Sequence, residues 1–152
     1  MRNRWWIILM MAFGSSCLDS AECVKEGDTA LVISFKNLSD GKDATVTLLH
    51  VTAEGTNNVF YKEDPDVLNT LTGKALLSVN PYAEETLFTF VFETEQRTLR
   101  VGYKNQVQFI SEECGSDLKQ IDLKILETQF DSVRVVNKVL TKDRTPNIEI
   151  FN

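Results

Sequence analysis

Apolar and polar residues alternate along most of the chain from about residue 30 to its end. This period of two predicts β-strands with one buried face, because successive side chains of a strand point to opposite faces. Roughly ten strands are expected, at the spacing typical of all-β domains. They lie at Leu31–Phe35, Val46–His50, Val59–Tyr61, Ala75–Val79, Thr86–Phe92, Leu99–Tyr103, Val107–Phe109, Ile121–Ile125, Val133–Val135 and Ile148–Ile150.

One predicted strand carries three phenylalanines, Phe88, Phe90 and Phe92, on the same face. We interpret this stripe as the centre of a packed core, since large rings on one strand face are usually buried. An aromatic groove for a glycan or a lipid chain is the alternative, and it requires the rings to be exposed.

Turn residues separate the predicted strands and no long segment keeps a helical period; residues 63–73 offer room for one helical turn between a proline and a glycine. The turns lie at 39–41, 54–58, 80–82 and 142–146. Strands that are apolar on one face must bury that face against a second sheet. The sequence therefore predicts an all-β fold, an antiparallel β-sandwich of roughly eight to ten strands, with a closed β-barrel as the alternative.

The first segment of the chain has the pattern of a bacterial lipoprotein signal peptide. Basic residues in Met1–Arg4 precede the apolar run Trp5–Phe13, which is shorter than the ~20 residues that cross a bilayer as a helix. Small residues then lead to Cys17, whose sulfur would carry a diacylglycerol and whose acyl chains, such as palmitate, would anchor the protein in a membrane. Gly14 stands where such signals usually have leucine, so simple export with cleavage after Ser16 is the alternative.

The three cysteines support lipidation. If Cys17 is lipidated, Cys23 and Cys114 remain as an even pair in an oxidising compartment and are predicted to form a disulfide. The bond would close a loop of about 90 residues and stabilise the fold by up to roughly 4–5 kcal/mol in the chain-entropy account. Three segments are expected: a signal peptide at 1–16, a tether at 17–27 and one β-sandwich domain at 28–152.

Charge excludes one class of partner. The chain has 16 Lys and Arg against 22 Asp and Glu, and its pI is near 4.8. Nucleic-acid binding requires clustered cations on one face, so no nucleic-acid partner is expected. Both tryptophans lie in the predicted signal peptide, and their loss lowers the expectation of a sugar-stacking platform in the mature chain.

Few residues could support catalysis. His50 is the single histidine and falls on the apolar face of the second predicted strand, where it is expected at the margin of the core. The acidic doublets Glu84/Glu85 and Glu112/Glu113 are poor catalytic pairs, because neighbours on a strand point to opposite faces. We therefore expect no enzyme: no catalytic residue, no metal site and no cofactor. A hydrolase with two carboxylates in one cleft is the alternative.

Several stretches resemble an uncharacterised lipoprotein family of Bacteroidota, domain of unknown function 6452. They are the lipobox with Cys17-x5-Cys23, the strand Leu31–Phe35, the stretch Tyr103-x5-Phe109-Ile110-Ser111-x2-Cys114-Gly115 and the closing Pro146–Phe151. Ser116 departs from the pattern, since an aromatic residue often follows the Cys-Gly pair. The resemblance implies a small lipid-anchored envelope domain with no assigned catalytic residue, and an outer-membrane β-barrel protein as a possible partner.

Two kinds of non-catalytic function remain. The first is an interaction or structural module held by its lipid anchor at the outer membrane, with the periplasmic face favoured over the cell surface. The second is a glycan-binding surface lipoprotein, which would expose aromatic residues such as Tyr61, Tyr82 or Tyr103 along one loop face. No small-molecule ligand is indicated by the residues.

Overall fold

The structure is a computed structural model that describes residues 30–61, 69–112, 114–141 and 143–152. Every regular element in these ranges is a β-strand, so the prediction of an all-β fold is confirmed. The described strands are β1 (Leu31–Lys36), β2 (Thr45–Leu48), β3 (His50–Ala53), β4 (Val59–Phe60), β5 (Asn69–Thr72), β6 (Lys74–Leu77), β7 (Glu85–Val91), β8 (Gln96–Ser111), β9 (Gly115–Thr128), β10 (Ser132–Val135) and β11 (Ile148–Phe151). The predicted signal peptide, the tether and the first residues of the predicted domain lie outside the described ranges.

The strands form a β-sandwich. One sheet has the order β10-β11-β1-β6, the other has the order β4-β3-β7-β8-β9, and β2 pairs with β5 in a two-stranded ribbon. Within the described ranges neither large sheet closes on itself, so the sandwich is confirmed over the closed barrel. All described pairs are antiparallel except that of β1 with β11, which is parallel.

Aromatic rings from the two sheets meet in the core. Phe35 of β1 and Phe90 of β7 pack edge to face with ring centroids 6.4 Å apart, and Phe90 packs in the same way against Phe130 at 5.3 Å. Phe88 and Phe90 are fully buried and Phe92 packs partly buried against the cluster. The phenylalanine stripe is therefore core, as predicted: Phe88 and Phe90 lie inside it and Phe92 lies at its margin.

The chain changes sheet at two corners, which alters one predicted strand. The run Val46–His50 was expected to be a single strand, but it divides at Leu49 into β2, which pairs with β5, and β3, which pairs with β7. Gly73 divides β5 from β6 in the same way, with a positive φ of 81° that favours glycine. His50 consequently begins a new strand and is half-buried, not part of the face that carries Val46.

The expected helical turn at 63–73 is wrong over its last part, because Asn69–Thr72 form strand β5 against β2. Pairing with a neighbouring strand overrides a weak local preference. The remainder of that segment, 62–68, lies outside the described residues.

In the longest hairpin, two segments that were predicted as separate strands form one continuous strand. Leu99–Tyr103 and Val107–Phe109 were expected as two strands but belong to β8, which pairs with β9 along nearly its whole length. The intervening Lys104, Asn105 and Gln106 are polar because this part of the hairpin has left the sandwich, so neither face needs a continuous apolar pattern.

Candidate functional site

The far half of the β8–β9 hairpin projects from the sandwich as an arm, defined here as residues 104–111 and 115–120. The first half of β8 is a central strand, since β7 pairs with it from Gln96 to Gly102. Beyond Gly102, the described ladder partners of β8 all belong to β9. The β8 side of the arm, residues 104–111, is about 26 Å long at the usual rise per residue.

Apolar side chains are exposed at the end of this arm. Val107 is 70% exposed, Phe109 is 65% exposed and Ile110 is 37% exposed. The buried residues of the same strand, such as Leu99 and Val101, lie in the half that crosses the sandwich. We call Val107, Phe109 and Ile110 the apolar tip; it continues a strand whose other half is core.

The apolar tip occupies the last positions of β8 before the turn of the arm. Val107 lies opposite Leu118 and Phe109 lies opposite Ser116, so these four residues share a face. Ile110 is the extra residue at an irregularity in the ladder between Phe109 and Ser111. The exposed apolar side chains are therefore concentrated within four positions at the end of the arm.

A β-bulge redirects the arm at its base. Gly102 pairs with Lys124 while Lys104 pairs with Ile121, so β9 has an extra residue there, and Asp122 adopts a positive φ of 57°. The Lys104 ammonium donates a 2.7 Å hydrogen bond to the Asp122 carboxylate, and this bond lowers the pKa of Asp122 and raises the pKa of Lys104. Bulges increase local strand twist, which turns the arm relative to the sheet.

The arm is fastened to the loop between β6 and β7. The Asn105 side chain donates hydrogen bonds to the carbonyl oxygens of Pro81 at 3.2 Å and Ala83 at 2.7 Å, and its own oxygen accepts one from the amide of buried Gln120. Tyr103 lies just before it and its hydroxyl donates to the carbonyl oxygen of Asn80. These contacts fix where the arm leaves the body.

Beside the base of the arm is an open pocket of about 490 Å³. Its walls are the loop after β3, the loop after β6 and one residue of β9; they comprise Gly55, Thr56, Asn57, Asn58, Ser78, Val79, Asn80, Pro81, Tyr82 and Gln120. Several of these residues carry side-chain amides, and Tyr82 is 96% exposed. Amides that both donate and accept hydrogen bonds, next to an exposed ring, suit a neutral polyhydroxyl ligand.

The aromatic residues expected for glycan binding are not brought together. Tyr103 is only 2% exposed and Tyr61 is half-buried, its hydroxyl accepting a hydrogen bond from the backbone of Leu76. Burial raises the pKa of both tyrosines. Of the three tyrosines that glycan binding would place on a loop face, Tyr82 is exposed at the pocket, whereas Tyr61 and Tyr103 are held by the fold.

Of the three cysteines with predicted roles, the structure describes only Cys114. Cys114 is buried at the turn of the arm and is disulfide-bonded. Cys17 and Cys23 both lie outside the described residues, so the lipidation of Cys17 and the pairing of Cys23 with Cys114 stay predictions. The position of Cys114 nevertheless means that a covalent cross-link ends at the tip of the arm.

One candidate acidic residue, Glu85, forms a surface ion pair. Arg100 lies between Glu85, at 3.3 Å, and Glu127, at 3.5 Å, on the solvent face of the sheet. Among the described residues no three His, Cys, Asp or Glu side chains gather as a metal site would require. Glu113, one member of the second acidic doublet, is outside the described ranges.

The pocket and the arm base were missed by sequence reasoning. Gly55 and Asn80 lie in segments that the sequence marks only as turns, yet a Cβ on Gly55 would stand 2.6 Å from the Asn80 side-chain nitrogen. Asn105 was part of a polar interval between two predicted strands. The one available signal was Tyr103, an apolar-face residue with a hydroxyl that needs a buried partner.

Comparison with known proteins gives one match. A sequence family described as a family of unknown function, DUF6452, matches residues 48–152. This range includes the whole arm, the pocket and the disulfide-bonded Cys114. No curated protein and no solved structure matches the chain. In the described ranges there is also no helix with the length and apolar character needed to span a membrane.

Proposed function

This chain belongs to the DUF6452 family of unknown function, and on that premise we propose that it is a lipid-anchored, non-catalytic interaction module of the cell envelope, a lipoprotein of the kind found in Bacteroidota. Its place is the outer membrane, facing the periplasm. The arm is the surface through which it associates with a membrane partner, such as an outer-membrane β-barrel protein.

The observation that carries this proposal is the arm with its apolar tip. Isolated exposed apolar residues are ordinary on a protein surface, but three within four positions at the end of a projecting hairpin mark an association surface. An exposed hairpin also carries a risk of aggregation, because its unpaired strand edges can form hydrogen bonds with strands of other chains. The bulge at Asp122 and the disulfide at Cys114 both restrain it.

The position of Leu31, where the described part of the chain enters the sandwich, supports an anchor on the same side as the arm. Leu31 pairs with Leu77 at the end of β6, the following loop leads to Glu85, and Glu85 pairs with Gly102 at the base of the arm. The chain therefore enters the sandwich at the end from which the arm projects. An anchor at Cys17 is attached to that same end.

The first test is the chemistry of the mature N-terminus. Mass spectrometry of the protein purified from its own membranes is expected to find residue 17 as the first residue, carrying a diacylglyceryl group. An unmodified N-terminus at Cys17 would show simple export and overturn the anchor.

The second test is recovery of a partner in mild detergent from cells that express the tagged full-length chain. We expect an outer-membrane protein in stoichiometric amount with the wild type and none with Cys17→Ala. Replacing Val107 and Phe109 by glutamine should also abolish recovery, whereas Leu38→Gln, equally exposed at 71% in the turn after β1, should not. Equal recovery with all variants would contradict a role for the arm.

Glycan binding is the second candidate function, and the pocket beside the arm favours it. The amide-rich wall and the exposed ring of Tyr82 fit a sugar better than they fit an apolar or charged ligand. Binding to a polysaccharide array that is lost in Tyr82→Ala and in Asn57→Ala would support this function. Retention in Leu38→Gln would be the control.

A further inference from the structure

We propose that the apolar tip is a second membrane contact, with Val107, Phe109 and Ile110 inserted into the lipid interface beside the N-terminal anchor. This inference rests on the proposed lipid anchor at Cys17 and goes beyond it. The occupant of the tip is the lipid surface, and insertion of the tip holds the rest of the arm against the membrane partner. The loss of partner recovery expected when Val107 and Phe109 are replaced by glutamine follows from the loss of this insertion.

The first argument is proximity. Cys114 at the turn of the arm is disulfide-bonded, and the predicted partner is Cys23. Five residues separate Cys23 from Cys17, so the two α-carbons lie at most about 20 Å apart when that segment is extended, and a disulfide adds about 6 Å between α-carbons. The end of the arm is therefore held within reach of the bilayer in which the acyl chains of Cys17 are embedded.

The second argument is the concentration of apolar side chains. Val107 and Phe109 share a face, and Ile110 is the extra residue at the ladder irregularity beside them, so three exposed apolar side chains lie within four positions at the end of the arm. A lipid interface accepts apolar groups at the end of a projecting hairpin without a shaped partner surface, because the hydrophobic effect has no direction. The end of the arm therefore suits immersion in a lipid interface.

The third argument is electrostatic. Glu112 is exposed at the tip and the formal charge of the chain is −6. These charges oppose approach to an anionic surface, and that repulsion is screened by salt. Contact with zwitterionic lipid is therefore favoured, and it is driven by burial of the side chains of Val107, Phe109 and Ile110.

The mature chain allows a direct test, since both tryptophans of the sequence are in the predicted signal peptide. Phe109→Trp places a single tryptophan in the apolar tip. Leu38→Trp is the matched control: Leu38 is similarly exposed but follows β1, at the opposite end of the sandwich from the arm. Both substitutions replace exposed side chains, so both variants are expected to fold.

The lipidated full chain of each variant is reconstituted into phosphatidylcholine vesicles with and without brominated acyl chains. We expect Phe109→Trp to emit at shorter wavelength with vesicles than in detergent-free buffer and to lose emission with the brominated lipid. Leu38→Trp should show neither effect. Adding phosphatidylglycerol at low salt should reduce the quenching of Phe109→Trp.

Vesicle flotation, recorded in the same samples, separates failure of the tip contact from failure of the anchor. Flotation without quenching of Phe109→Trp would overturn the tip contact and leave the anchor intact. Loss of flotation would overturn both. Equal quenching of the two variants would overturn a specific contact at the tip, and a blue shift of Phe109→Trp that occurs only in native membranes would assign the tip to a protein partner instead.

Discussion

The hydroxyl of Tyr103 donates a 2.6 Å hydrogen bond to the backbone carbonyl oxygen of Asn80, and the Thr86 hydroxyl lies 2.8 Å from the Tyr103 hydroxyl oxygen. Both side chains are buried, and Thr86 also accepts a hydrogen bond from the Asn80 amide. One phenol thus joins the last core position of β8 to the loop that walls the pocket. The arm and the pocket share this junction.

We expect Tyr103→Phe to lower the free energy of unfolding by about 1–3 kcal/mol, because it leaves buried polar groups without their partner. Chemical denaturation measures this difference. Tyr82→Phe, at an exposed ring, is the control and should change stability by less than about 0.5 kcal/mol. A Tyr103→Phe variant as stable as wild type would show that water replaces the hydroxyl.

Stability should fall at alkaline pH. Burial raises the pKa of Tyr103 above its ordinary value, so the folded state holds that proton more tightly than the unfolded state. The resulting stabilisation is complete below the unfolded pKa of about 10 and is lost as pH rises through the folded pKa. Tyr61 contributes in the same direction. The stability difference between wild type and Tyr103→Phe should therefore shrink above pH ~10, and a constant difference would contradict this assignment.

Gly55→Ala should distort the pocket wall. The new Cβ would stand 2.6 Å from the side-chain nitrogen of Asn80, and the φ of Gly55 is 76°. Gly41→Ala is the matched control, since its φ is 68° but nothing lies within 4 Å. Both variants are strained by about 1 kcal/mol, and Gly55→Ala should lose more because Asn80 must move. Equal losses would mean that the Asn80 side chain rotates away freely.

Asn147 should be costly to replace. Its side-chain oxygen accepts a hydrogen bond from the Val32 amide and its nitrogen donates to the carbonyl oxygen of Val139, at a site with no exposure. Asn147→Ala is expected to lower the unfolding free energy by about 2–4 kcal/mol. Asn137→Ala, which removes one local bond to the Val139 amide, should cost about 1 kcal/mol or less. Similar losses would contradict a bridging role for Asn147.

The disulfide prediction is tested by comparing cysteines. Cys23→Ser and Cys114→Ser should destabilise the exported chain equally, by up to about 4–5 kcal/mol, and the double variant should lose no more than either single one. Cys17→Ala should leave the melting temperature unchanged. Loss of stability with Cys17→Ala instead of Cys23→Ser would pair Cys17 with Cys114 and exclude its lipidation.

The predicted strands were found where one face is core and the other is solvent, as in the Phe88 and Phe90 region, because that boundary dictates the period of two. The pattern could not show that the chain changes sheet at Leu49, since both halves of Val46–His50 keep the same alternation. The pattern also could not reveal the arm. Neither face of Lys104–Ser111 is in the core, so the sequence there need not alternate between apolar and polar residues even though the strand is paired. The pocket depends on loop approach at Gly55, which has no periodic signal.

The parallel pairing of β1 with β11 has a consequence for how the molecule forms. Ile33 lies opposite Ile148, so β1 remains without one of its neighbours until β11, much later in the sequence, has been synthesised. Contacts of such long sequence separation make folding slow and leave an open strand edge exposed meanwhile. A copy that stops before Ile148 lacks the strand that pairs with this edge of β1, and an unpaired strand edge is prone to pair with other chains.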